Sequence, residues 1–328
     1  MKATIYDVSR LSGVSTATVS RTFSAPEQVR EDTRRRVYEA ASALKYTPNA
    51  IARDMALQRT NRIAYLICKR QATILDEFYA GICEGIMRRA NALNLQLIVS
   101  TADDWRQMAA NAQSKQVEGV ILGGDVAPAM VSEFQARNTF IVLVNNRMEG
   151  FDLPCVVSDE RQGIRQAAQC LAEAGHRRIA LMMGGYSPFI VGERYAGFIE
   201  AMAALGLPVT DADVTMCDRT AASAAESAMK LLSGPDRPTA VLAVSDVVAA
   251  GVMKAARRLG LSVPGELAVT GYDDSAICTL LEPELTSVHI DVRRMGETAV
   301  NLLCQGLEGG DTPRLTVIPT QLTRRGSV

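Results

Sequence analysis

The chain has 328 residues, 48% of them hydrophobic and 22% charged, with a net charge of −1. That length suits two or three domains with a well-buried core, and the proportions are those of a soluble globular protein. The whole chain lacks the basic excess of a nucleic-acid binder, yet residues 1–60 hold ten Lys/Arg against six Asp/Glu, net +4, which leaves −5 for 61–328. A basic head on an acidic body fits DNA contact confined to the head. Seven cysteines without a CxxC, and two histidines, argue against a zinc site and a disulfide framework, so no metal or cofactor is expected. No charged-then-apolar leader opens the chain and no apolar run reaches about 18 residues, which points to a cytoplasmic protein with no membrane contact.

The head reads as three helices. Thr4-Ile5-Tyr6-Asp7 fits a capping box, so a first helix runs from Ile5 to Ser12. Gly13 suits a tight turn and Ser15 an N-cap, opening a second helix through Thr16-Ala17-Thr18-Val19-Ser20-Arg21. Val8, Leu11, Val14 and Val19 supply the apolar contact between the two. Thr16, Ala17 and Arg21 then face outward, short side chains and an Arg that suit base edges in a major groove. A third helix spans Glu31 to Leu44, with Arg30 where a capping residue would stand. Pro48 breaks the chain at Tyr46-Thr47-Pro48-Asn49, and Asn49 can cap a short helix from Ala50 to Leu57.

These residues, with the YxPNxxAR pattern of Tyr46 to Arg53, resemble the DNA-binding head of the lactose/galactose-repressor family (LacI/GalR). The resemblance implies that helix 49–57 is a hinge that folds on operator DNA, with Met55 as the apolar wedge in the minor groove. It implies DNA contact by Thr4, Tyr6, Ser15, Thr16, Ala17, Thr18, Ser20, Arg21, Asn49, Ala52 and Met55.

From Asn61 onward, continuous apolar runs alternate with helical patterns. The strand-like runs are 63–68, 95–100, 119–122, 140–144, 179–183, 214–217, 239–244 and 267–271, and helices such as 78–94, 161–174, 194–205 and 247–259 lie between them. That alternation predicts an α/β architecture of two parallel sheets covered on both faces. With the resemblance, it implies a helix-turn-helix head and hinge (1–57) followed by a two-lobed, type I periplasmic-binding-protein-like core (61–328) for effector binding and dimerisation. Lobe one covers 61–160 and 289–318, lobe two 161–288 and 319–328.

Open α/β sheets bind small molecules at the carboxyl ends of their strands. The resemblance assigns effector contact there to Lys69, Phe78, Tyr79, Asn145, Arg194, Arg219, Ser245 and Asp273. Arg194 grips ligand oxygens, Asp273 takes hydroxyls, and Arg219 stands where relatives carry a stacking aromatic. Asp246 reads better as a helix cap, and His176 as a contact to the helix end before it. Pro188, Phe189 and Ile190 depart from the polar pocket of purine-binding relatives. Neither histidine has a nucleophile at useful spacing, so the chain is not read as an enzyme. The sequence reads instead as a transcriptional regulator, expected to repress from a palindromic operator as a homodimer. Its small-molecule effector is a carbohydrate, and two guanidiniums in one cleft would suit a sugar acid or sugar phosphate. The competing class is a sugar-binding transport or sensor protein without DNA function, which would begin with a signal peptide in place of residues 1–57.

Overall fold

The computed structural model describes residues 3–24, 26–46, 60–68, 77–101, 103, 105–114, 116–185 and 187–328. It divides into two compact units, residues 1–61 and 62–328. In the first, α1 (Ile5–Ser12), α2 (Thr16–Ser24) and α3 (Glu31–Ala43) form a small bundle. Local chemistry sets its ends. The Asp7 carboxylate accepts the Thr4 N–H at 2.9 Å and the Thr4 hydroxyl at 2.7 Å. Gly13 closes α1 at φ +69°, and Ser15 Oγ accepts the Thr18 N–H at 3.2 Å to open α2. Arg30 precedes α3 with no side-chain cap bond.

Val8, Val19, Val37, Ala40 and Ala41 make the core of this unit. Leu11, expected in it, is 57% exposed. The inward stripe of α1 runs through Ile5, Val8 and Ser12, and a helix turns about 100° per residue, so Leu11 falls on the adjoining face. Its place inside goes to Ser12, whose hydroxyl donates to the Val8 carbonyl at 2.7 Å and needs no outside partner.

The second unit holds two six-stranded sheets. The first runs β11-β5-β4-β3-β1-β2, from β1 (Arg62–Cys68), β2 (Gln96–Thr101), β3 (Gly119–Gly124), β4 (Phe140–Val144), β5 (Cys155–Ser158) and β11 (Leu315–Ile318). The second runs β12-β10-β9-β8-β6-β7, from β6 (Ile179–Gly184), β7 (Val214–Cys217), β8 (Ala240–Ala243), β9 (Ala268–Asp273), β10 (Thr286–Ile290) and β12 (Thr320–Thr323). All pairings are parallel except β10 with β12. β1 and β3 are buried nearly end to end, as helices on both faces require. The two parallel sheets agree with the sequence pattern. β5, β10, β11 and β12 are absent from its strand-like runs.

The helices of the first sheet are α4 (Glu77–Ala92), α5 (Trp105–Gln113), α6 (Pro128–Ala136) and α11 (Val292–Leu307). Those of the second are α7 (Glu160–Glu173), α8 (Pro188–Ala204), α9 (Ala221–Leu232) and α10 (Asp246–Arg258). The chain crosses between the sheets three times, at Asp159, Asp291 and Pro319. α4 and α11 pack through glycines: a Cβ on Gly85 would overlap the Arg293 carbonyl oxygen, and one on Gly296 the Ile82 carbonyl oxygen. α8 begins six residues before the helix read from Arg194, because Ser187 caps it and Pro188 occupies its first position. Pro188, Phe189 and Ile190 are therefore a helical turn.

Candidate functional site

Strand ends of both sheets open on one cleft of about 460 Å³. Phe78, Tyr79, Asn145, Arg194, Arg219, Ser245 and Asp273 all line it. Lys69 lies outside the described residues. The cleft also takes in residues the sequence did not single out, among them Glu77, Asp274, Ile277 and Val292.

Asn145 follows β4 with φ +55°, a left-handed conformation that Asn adopts more readily than most residues, and its N–H is tied to the Val156 carbonyl at 2.9 Å. Its Nδ2 donates to the Tyr79 hydroxyl at 3.4 Å, while its buried Oδ1 has no hydrogen-bond partner among the described residues. Phe78 stands edge-on to Tyr79 with ring centroids 5.3 Å apart. Tyr79 is buried in the core and is also among the residues that line the cleft, so it serves both as packing and as lining.

Arg194, on the second turn of α8, is 2% exposed. Its Nε donates to Glu160 Oε2 at 2.7 Å and its Nη1 to the Val244 carbonyl, while its guanidinium lies 4.0 Å above the Tyr272 ring. Nη2 is 4.0 Å from Asp273 Oδ1. Glu160 is itself buried and takes the Ser158 hydroxyl at 2.5 Å. The sequence offered no signal for Glu160, since an acid in the first turn of a helix reads as an ordinary partner of the helix dipole.

Asp273 ends β9 at φ +103° and Asp274 follows at +54°, so two acids in succession hold left-handed backbone at the cleft. Burial pushes the Asp273 carboxyl well above its ordinary range; Arg194 and Arg219 pull it down, and Asp246 and Glu160 push it further up. Asp274 bonds Arg325 at 2.7 Å and lies 3.3 Å from His289 Nδ1.

Ser245, not Asp246, caps α10, its Oγ accepting the Val248 N–H at 3.2 Å. Asp246 turns inward instead and accepts from the Ser275 N–H, the Ser275 hydroxyl and the Ser287 hydroxyl at 2.7, 2.8 and 2.5 Å. Burial raises its carboxyl, and those bonds pull it back toward the charged form. His176 Nδ1 sits 3.0 Å from Thr239 Oγ1, and only its main-chain N–H, donating to Leu171 at 3.1 Å, meets the preceding helix. Among the described residues no cluster of three His, Cys, Asp or Glu side chains could hold a metal ion, and no helix is long and apolar enough to cross a membrane.

In the first unit, Thr4, Tyr6, Ser15, Ala17 and Arg21 are exposed, and Thr16, Thr18 and Ser20 are half-buried. Ala17 and Arg21, one helical turn apart, share an open face of α2. Asn49, Ala52 and Met55 lie outside the described residues.

Residues 4–49 match the family described as bacterial regulatory proteins, lacI family, and residues 168–328 the periplasmic binding protein-like domain. Catabolite control protein A of Priestia megaterium is 33% identical over 309 residues, 92% of either chain. The HTH-type transcriptional repressor PurR of Erwinia tasmaniensis is 30% identical over 332 residues, 98% of this chain and 96% of its own. Among solved structures, a Lac repressor dimer bound to operator and the anti-inducer ONPF superposes with a TM-score of 0.84 at 25% identity, over 100% of this chain and 99% of that one. The complex of the transcriptional regulator CelR with cellobiose gives 0.77 at 30% identity, over 99% and 100%. These relatives are transcriptional regulators, not enzymes.

Proposed function

This chain belongs to the lacI family of bacterial regulatory proteins and is a DNA-binding transcriptional regulator; we propose that it represses from a palindromic operator as a homodimer, with its DNA affinity set by an uncharged carbohydrate in the cleft. Residues 1–57 are the reading head and hinge, and residues 61–328 the effector and dimerisation core. Ala17 and Arg21 meet base edges in the major groove, and Asn49, Ala52 and Met55 work at the hinge. Two-fold symmetry of the protein mirrors the palindrome. A sugar-binding protein without DNA function would have no use for the lacI-type residues 4–49.

One observation carries the choice of effector: the Arg194–Glu160 pair. Two guanidiniums facing one cleft would call for an anionic ligand, but the Arg194 charge is met inside the protein at 2.7 Å. Among the described residues, Arg219 is then the one remaining guanidinium on the lining, sharing it with the Glu77 carboxylate while burial holds the neighbouring Asp273 toward its neutral form, which leaves little net positive charge to recruit a carboxylate or phosphate. The hydroxyls of a sugar suit what remains: the Asn145 Oδ1 acceptor, the Asp273 carboxyl and the Phe78 ring. The cellobiose bound by the related regulator belongs to the same ligand class.

Selection from random DNA duplexes tests the DNA half, and sugar challenge of the selected complex tests the rest. An inverted repeat should emerge, Arg21→Ala should weaken its binding by about 1–3 kcal/mol per half-site with relaxed preference at one position, and a neutral sugar should shift DNA affinity more than its acid or phosphate. Recovery of single, unrepeated sites would reject the palindrome, and a stronger response to the acid or phosphate would reject the uncharged effector.

A further inference from the structure

At the mouth of the cleft, acids from opposite lobes hold two successive backbone N–H groups. The Ser275 N–H and hydroxyl both donate to Asp246 Oδ2, and Asp246, 1% exposed, bonds the Ser287 hydroxyl through its other oxygen. The turn at Ser275 is thus fixed from within its own lobe. The next N–H, that of Ala276, donates across the cleft to Glu77 Oε1 at 3.0 Å. Glu77 opens α4, and α4 is clamped to α11 by the glycine contacts, by Arg293 on Glu84 at 2.8 Å and by Arg89 on Asn301 at 2.6 Å. The bond therefore spans two braced elements, so the lobes cannot part while it lasts.

We propose that the Glu77–Ala276 bond is a latch of the effector cleft, setting how often the lobes part. The proposal rests on the effector-cleft reading, since parting of the lobes is what would admit the sugar. An exposed hydrogen bond, with water competing for both partners, biases an equilibrium by roughly three- to ten-fold. Such a bias favours the closed cleft without locking it, as a switch operated by ligand requires.

The test uses the full chain without sugar, as wild type, Glu77→Ala and Glu77→Gln. Spin labels on unnatural side chains at the exposed positions Ala110 and Glu226, one per lobe, report the interlobe distance by pulsed electron resonance. Glu77→Ala should raise the open population about three- to ten-fold and speed hydrogen exchange at the Ala276 amide. Glu77→Gln keeps a carbonyl acceptor and should stay near wild type in both. Unchanged distances in Glu77→Ala, unchanged exchange at Ala276, or a Gln variant as open as the Ala variant would each overturn the latch. Glu77 is exposed, so these variants retain their core. Failure of the carbohydrate reading would appear separately, as a lack of response to every sugar, with the distances in the sugar-free protein unaffected.

Discussion

A guanidinium that is 2% exposed stays charged, so its burial is tolerable only beside a counter-charge, and Glu160 provides that to Arg194. Removing one member of such a pair is costly because the other stays buried. Glu160→Ala should therefore lower stability by about 3–5 kcal/mol, as urea unfolding would measure; a loss under 1 kcal/mol would mean that the pair is solvated. Asp273 carries the opposite signature. Burial raises its carboxyl above the ordinary 3.8, so folding favours the protonated acid. Its contribution is complete below pH 3.8 and is lost as pH rises toward the folded value. Asn at this position cannot titrate and tolerates φ +103° no worse than Asp. Asp273→Asn should thus gain stability relative to wild type between pH 4 and pH 7; a stability difference that stays flat or shrinks with pH speaks against the raised value.

Among the helices, two glycines make opposite predictions. Gly296 on α11 faces the backbone of α4, where an added Cβ would also come 2.8 Å from the Ile86 N. Backbone cannot yield as a side chain does, so Gly296→Ala should cost about 1–3 kcal/mol and loosen the support of Phe78 and Glu77. Gly192 is inside α8 with nothing within 4 Å of its added Cβ. There Ala only reduces the entropy of the unfolded chain, and Gly192→Ala should gain about 0.5–1 kcal/mol. Thermal denaturation of the pair checks both signs, and a stabilised Gly296→Ala would mean that the helices can separate. The elements differ in how plainly the sequence announces them. α1 and the start of α2 are legible to the residue because they are set by neighbours in sequence, Thr4 with Asp7 and Ser15 with Thr18. β11 and β12, four residues each, complete sheets whose other strands lie far back in the chain, and their pairing has no local sign.

Across the molecule as a whole, the two units at 1–61 and 62–328 have separate cores. If 62–328 carries the entire effector cleft, that fragment alone should bind a responding sugar with the affinity of the DNA-free full chain, within about two-fold by calorimetry on the arithmetic that 1.4 kcal/mol is a factor of ten. A loss of ten-fold or more would place part of the site in the head.

The linear chain already carries the two-part plan, the alternation that makes parallel sheets, and the identity of the strand ends that meet at the cleft. Those features obey local rules: caps, breakers, apolar periods, and the fact that parallel strands all end on one side. Which charges in the cleft are already balanced is settled only by folding. Glu160 stands 34 residues from Arg194, Asp246 is 29 from Ser275 and Glu77 is 199 from Ala276. Electrostatic balance depends on distance and burial, and neither is a property of position in the chain. Once folding buries Glu160 against Arg194, a cleft that reads as doubly basic in sequence keeps one guanidinium among the described residues, that of Arg219, with Glu77 on the same lining.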